Sequence, residues 1–120
     1  VTPRVVALVP DLLFGSQVQG MLRAGGFEVE LVANPESAQQ RLVGAAVLVI
    51  DLTSSDLDGP AFVRDLAGAG SLTDVRTLGF YAHVDPDARQ RALDAGFDQV
   101  VPRSRMAREG AELVRRLTHA

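Results

Sequence analysis

The chain has 120 residues, twelve basic and fifteen acidic, and no cysteine. That length suits one domain with a sizeable core, while the acid excess argues against a nucleic-acid-binding domain, which needs a positive footprint. The missing thiols exclude a disulfide framework, a thiolate metal site and a thiol nucleophile, and the use of arginine as every basic residue removes any role that needs a lysine ammonium.

Val5 to Val9 (VVALV) is a continuous apolar run, followed by Pro10 and Asp11 and then by Leu12, Leu13, Val18, Met21 and Leu22 at helix-like spacing. It reads as strand, short loop, helix. Gly25 and Gly26 can end that helix in a left-handed conformation, and Phe27 to Val32 alternates apolar and acidic residues as a half-exposed edge strand does. Asn34-Pro35-Glu36 is a compact helix start: an N-cap side chain, a proline whose missing N–H costs nothing there, and a carboxylate near the positive end of the dipole. The helix it opens, through Ala38 and Leu42, ends near Gly44.

Ala46 to Ile50 is apolar at every position and rich in β-branched residues, which fits a strand buried on both faces. The run stops at Asp51, and Thr53, Ser54, Ser55, Asp56, Asp58 and Gly59 precede a helix marked by Phe62, Val63 and Leu66. After the break at Gly68-Ala69-Gly70-Ser71, Val75 to Tyr81 is the next strand, and Asp85-Pro86-Asp87 repeats the helix-start chemistry. Ala88, Ala92 and Ala95 give that helix a narrow face, with Gly96 as its stop. Phe97 to Val101 is the last strand, ended by Pro102, and Met106, Gly110, Leu113, Val114 and Leu117 form the stripe of the final helix.

Five strands alternating with five helices, joined by right-handed crossovers, make a doubly wound parallel sheet of α/β class. The flavodoxin-like order 2-1-3-4-5 suits five strands and puts the first and third, the two most apolar, in the centre. A single domain over residues 1–120 is expected. No stretch is long and apolar enough to span a bilayer, and the first strand begins by Val5, so neither a signal peptide nor a membrane segment is expected and the cytoplasm is the default location.

In this topology the ends of strands one, three, four and five meet at one edge and supply Pro10 and Asp11, Asp51, Tyr81 with Ala82, and Arg103. Here the chain resembles the receiver domains of two-component response regulators. Thirty residues from Asp51 to Tyr81 and twenty-two from Tyr81 to Arg103 repeat the family's spacing from phospho-accepting aspartate to switch Ser/Thr to lysine. Asp58-Gly59 and Gly96-Phe97-Asp98 stand where receivers carry Asp-Gly and Gly-Ala-Asp. The resemblance implies a phospho-acceptor at Asp51, a switch pocket at Tyr81, Ala82 and Arg103, and partners that include a histidine kinase and an effector or output protein.

The departures fall on the chemistry. The acidic pair that helps receivers hold Mg²⁺ is replaced by Val9 and Pro10, leaving Asp11, one residue later, as a substitute ligand beside Asp51 and the Thr53 backbone carbonyl. Tyr81 carries its hydroxyl too far to act as a Ser or Thr, and is expected to fill the pocket or lie over the neighbouring helix. Arg103 keeps the lysine's charge with a planar head that can grip a carboxylate bidentately, so a direct Arg103–Asp51 pair is expected to lock the site. Ser104 stands where receivers have a cis-bonded proline and is expected to cap the last helix.

These features favour a non-enzymatic pseudo-receiver that signals by protein–protein contact, with no cofactor unless the phosphorylation site works with Mg²⁺. The first rival is a working phospho-acceptor; the second is a small-molecule sensor or enzyme with Asp11, Asp51 and Tyr81 lining a pocket. Arg105, Arg108, Arg115 and Arg116, with Arg103, bias the last segment positively and mark either a solvated face or an interface, including a homodimer through the last helix. His83 beside Asp85 reads as a surface-loop histidine, since no nucleophile-elbow pattern accompanies it. Asp56 and Asp58 read as a solvated loop and a helix start, with a second cation site as the alternative.

Overall fold

The two most apolar runs become the central strand of the sheet and one of its neighbours. A computed structural model describes residues 2–82 and 85–119, with the elements β1 (Arg4–Leu8), α1 (Leu12–Ala24), β2 (Glu28–Val32), α2 (Pro35–Gln40), β3 (Val47–Asp51), α3 (Gly59–Gly68), β4 (Arg76–Tyr81), α4 (Pro86–Ala95), β5 (Gln99–Pro102) and α5 (Arg103–Thr118). The strands form one sheet of order β2-β1-β3-β4-β5, parallel throughout. The expected α/β architecture, five-stranded order and edge position of β2 are therefore all present.

Alternation along the inner strands splits the core in two. Val5, Ala7, Val47, Val49, Leu78 and Phe80 meet Phe14, Val18 and Leu22 of α1 and Met106, Leu113 and Val114 of α5 on one side. Val6, Leu8, Leu48 and Ile50 meet Ala38, Val63, Leu66, Ala92 and Phe97 on the other. Asn34, Asp58 and Asp85 cap α2, α3 and α4, each accepting from the backbone N–H three residues on. Asp58 is thus a helix cap, and Gly96, at φ +107°, ends α4 as glycine can. No helix of the described residues is long and apolar enough to cross a membrane.

Three expectations change. The buried stripe of α1 is Phe14, Val18 and Leu22, so Leu12 and Leu13 point outward, 79% and 83% exposed. Pro102 does not stop β5 short; it is the last strand residue, paired with Tyr81, which an edge strand permits because proline's missing N–H need not face a neighbour. Finally, α5 follows without a loop, with Pro102 as its N-cap, so Ser104 lies inside the first turn and caps nothing.

Candidate functional site

At the carboxyl edge, β3 ends on Asp51, which is 2% exposed although it is a carboxylate. A buried carboxylate requires hydrogen-bond donors, and Thr53 supplies two: its backbone N–H and its hydroxyl both donate to Asp51 Oδ1, at 2.7 and 2.5 Å. Oδ2 accepts nothing from the described residues. Among the described residues no side-chain oxygen sealed from solvent lacks a partner, so Oδ2 carries what little exposure Asp51 has.

Asp11 and Arg103 come together, but around a different centre from the one expected. Asp11 is the N-cap of α1, with Oδ1 accepting from the Phe14 N–H at 3.1 Å, while Oδ2 lies 3.6 Å from Arg103 Nη2. The Arg103 guanidinium lies over the Phe14 ring, 4.1 Å from its centroid, and Phe14 packs at 5.1 Å against Phe80, the register partner of Asp51. The expected Arg103–Asp51 pair is therefore corrected: Arg103 pairs with Asp11. Physically, the aromatic face beneath the guanidinium adds a cation–π attraction, and the half-exposed Asp11 is met without burying a second charge.

Tyr81 is half-buried and packs against the core on the α3 and α4 side of the sheet. Ala82 lines a shallow cleft with Phe14, Gln17, Pro102, Arg103 and Ser104. A second cleft, between the β3–α3 loop and α4, is lined by Thr53, Ser54, Arg64, Asp85 and Arg91 among others. Asp51 lines neither, so Asp11, Asp51 and Tyr81 share neither cleft.

The 2-1-3-4-5 fold that carries this edge matches known structures closely in overall shape. Neither a protein-family model nor a curated protein matches the sequence. Among solved structures, the chain is similar to the receiver domain of a Francisella response regulator, 1452, with TM-score 0.85, 18% identity and 98% of each chain covered. A response regulator from Thermotoga maritima aligns over 100% of both chains with TM-score 0.83 and 18% identity. The chemotaxis protein CheY4 of Vibrio cholerae gives TM-score 0.84 at 17% identity, over 98% of this chain and 99% of that one.

The chain has the receiver-domain fold. Within this fold, Asp51 and Tyr81 are the last residues of β3 and β4, and Arg103 opens α5 directly after β5. The aromatic pair was not anticipated. Phe14 stands one turn before Val18 and Leu22 at i, i+4, i+8 spacing, and that signal, in place of the adjacent leucines, would have placed it inward.

Four arginines of α5 share two glutamates on their own helix, which stays net positive. Arg105 and Arg108 reach Glu109, and Arg115 and Arg116 reach Glu112. Arg115 also donates to the Gly25 carbonyl at 3.2 Å and so ties α5 to the end of α1. His83 lies outside the described residues, so its expected placement beside Asp85 does too; Asp85 caps α4 and lies 3.4 Å from Arg91. His119 and Asp56 are exposed.

Proposed function

We propose that this chain acts in two-component signal transduction as a pseudo-receiver: a non-enzymatic domain that works by protein–protein contact and is held in one state or switched by a partner. Its partners would be a histidine kinase or another signalling protein and an effector, in the cytoplasm. The observation that carries this reading is the engagement of Arg103 by Asp11 and Phe14 and not by Asp51. Moving a phosphoryl group onto a carboxylate depends on positioning and on neutralising charge spread over the phosphoryl oxygens. Around Asp51 the cation is turned away, and Tyr81 is packed into the opposite side of the sheet.

The donor set does not fit Mg²⁺, which takes carboxylates, carbonyls and water in near-octahedral geometry. Val9 and Pro10 have no side-chain oxygen, Asp51 Oδ1 already accepts two bonds from Thr53, and the Asp11 carboxylate is divided between the Phe14 N–H and Arg103. No step of the proposed activity runs through a metal.

One observation favours the working phospho-acceptor as a second reading: Asp51 Oδ2, the oxygen left to react, is unbonded among the described residues and carries what little exposure Asp51 has. Beryllofluoride, a mimic of the phosphoryl group, separates the two. Amide ¹H–¹⁵N spectra of the protein with beryllofluoride, recorded with and without Mg²⁺, are expected to superimpose. Mg²⁺-dependent shifts centred on Asp51, Thr53 and Ala82 would establish the second reading.

A further inference from the structure

The chain has two methionines and no cysteine, and both methionines lie where α1 meets α5. Met106 of α5 is fully buried. Met21 of α1 is half-buried and lines a small hollow with Phe14, Gln17, Val18 and Ala107, so of the two side chains it is the one open to solutes. Both reach the same place on α5. A Cβ on the buried Gly110 would overlap the Met21 Cε methyl, and would lie 3.2 Å from Met21 Sδ and 3.1 Å from Met106 Cε. A glycine inside a helix weakens it, because the unfolded chain has more freedom to lose; here the space left by the missing Cβ seats the Met21 thioether. The helix pair is closed up on either side of this contact. Arg103 at the start of α5 meets Asp11 at the start of α1. At the other end a Cβ on Gly25, the C-cap of α1, would lie 2.9 Å from Ala111 Cβ, and Arg115 donates to the Gly25 carbonyl.

We propose that Met21 is a modification site: a hydroperoxide converts its thioether to the sulfoxide, and the modified side chain loosens α5 from α1. In this step a lone pair of Sδ attacks the terminal peroxide oxygen, the S–O bond forms and the O–O bond breaks. The proton of the attacked oxygen passes to the leaving oxygen, which departs as an alcohol or, from hydrogen peroxide, as water; sulfur loses two electrons and the peroxide gains them. A thioether is apolar and flexible and fills irregular gaps, whereas a sulfoxide is polar and chiral. Against Gly110 and the cluster that includes Met106, Leu113 and Val114, the new oxygen would be desolvated, and the backbone N–H groups of α5 there are committed to the helix. The side chain therefore turns out into the hollow and leaves a gap between the helices, as a large-to-small substitution does. Of the contacts along this helix pair, the middle one is the one that a small oxidant changes. Sulfoxide reductases restore the thioether, so the change is reversible.

This inference goes beyond the signalling reading and is independent of Asp51 chemistry. The probe is hydrogen peroxide on the full chain, read by peptide mass and amide hydrogen exchange. Peroxide is expected to add one oxygen at Met21 about tenfold or more faster than at the sealed Met106. Exchange of the α5 amides around Gly110 is then expected to speed up about tenfold, while the amides of α3, on the other face of the sheet, keep their rates. Sulfoxide reductases with a dithiol are expected to restore both mass and exchange. Met21→Leu keeps an apolar side chain of similar size and is expected to make α5 exchange indifferent to peroxide, whereas Met106→Leu keeps the response. Oxygen arriving first at Met106 overturns the proposal. So does an oxidised Met21 with unchanged α5 exchange, or a peroxide response that survives in Met21→Leu.

Discussion

Thr53 determines how Asp51 can be buried. Its N–H and hydroxyl converge on one carboxylate oxygen, so the second oxygen alone is left unbonded among the described residues. Thr53→Val removes one donor from a charged, buried acceptor and is expected to cost about 1–2 kcal/mol in urea denaturation, whereas Thr53→Ser keeps the donor and loses much less. Arg103 belongs to a different group of side chains. A double-mutant cycle between Asp11→Ala and Arg103→Ala should give a coupling of about 0.2–1 kcal/mol, as half-exposed ion pairs do. The cycle between Asp51→Asn and Arg103→Ala should give a coupling near zero; a large value there would restore the direct pair. The identity of these residues was legible from spacing along the chain. The partner of Arg103 was not, because it depends on where the Phe14 ring lies, and that ring is placed by the packing of α1 on Phe80.

At the scale of elements, the close approach of the segments after β3 and before β5 to the sheet relies on a glycine. A Cβ on Gly79 in β4 would lie 2.8 Å from Leu52 Cδ1 and 2.9 Å from Phe97 Cε2, so Gly79→Val is expected to destabilise by about 1–3 kcal/mol through overpacking. Gly68, near the end of α3, has nothing within 4 Å of its Cβ position. Gly68→Ala should therefore stabilise by about 0.5–1 kcal/mol, as helix propensity dictates; thermal melts of both variants check the contrast. The strands β1 and β3 were legible because burial on both faces leaves an unbroken apolar run. The starts of α2 and α4 were legible because cap, proline and acid stand together in sequence. The phase of α1 was harder to read: Leu12, Leu13 and Phe14 are all apolar, and only the Val18 and Leu22 register decides which one turns inward. The start of α5 was hidden by Pro102, whose tolerance in a strand depends on β5 being at the sheet edge.

For the molecule as a whole, the sheet order concentrates Asp11, Asp51, Tyr81 and Arg103 at one edge, and the side-chain packing then separates them again. Asp11 and Arg103 bridge the starts of α1 and α5, Tyr81 joins the α3 and α4 side, and Asp51 is left with Thr53. The pseudo-receiver proposed above has an aspartate at this edge without the surroundings that phosphorylation needs. Intact-protein mass after incubation with acetyl phosphate, with and without Mg²⁺, measures that directly. Asp51→Asn is the control, since its amide oxygen still accepts from both Thr53 donors. The account predicts an unchanged mass under both conditions. A Mg²⁺-dependent phosphoryl adduct that Asp51→Asn abolishes would contradict it and identify a working phospho-acceptor.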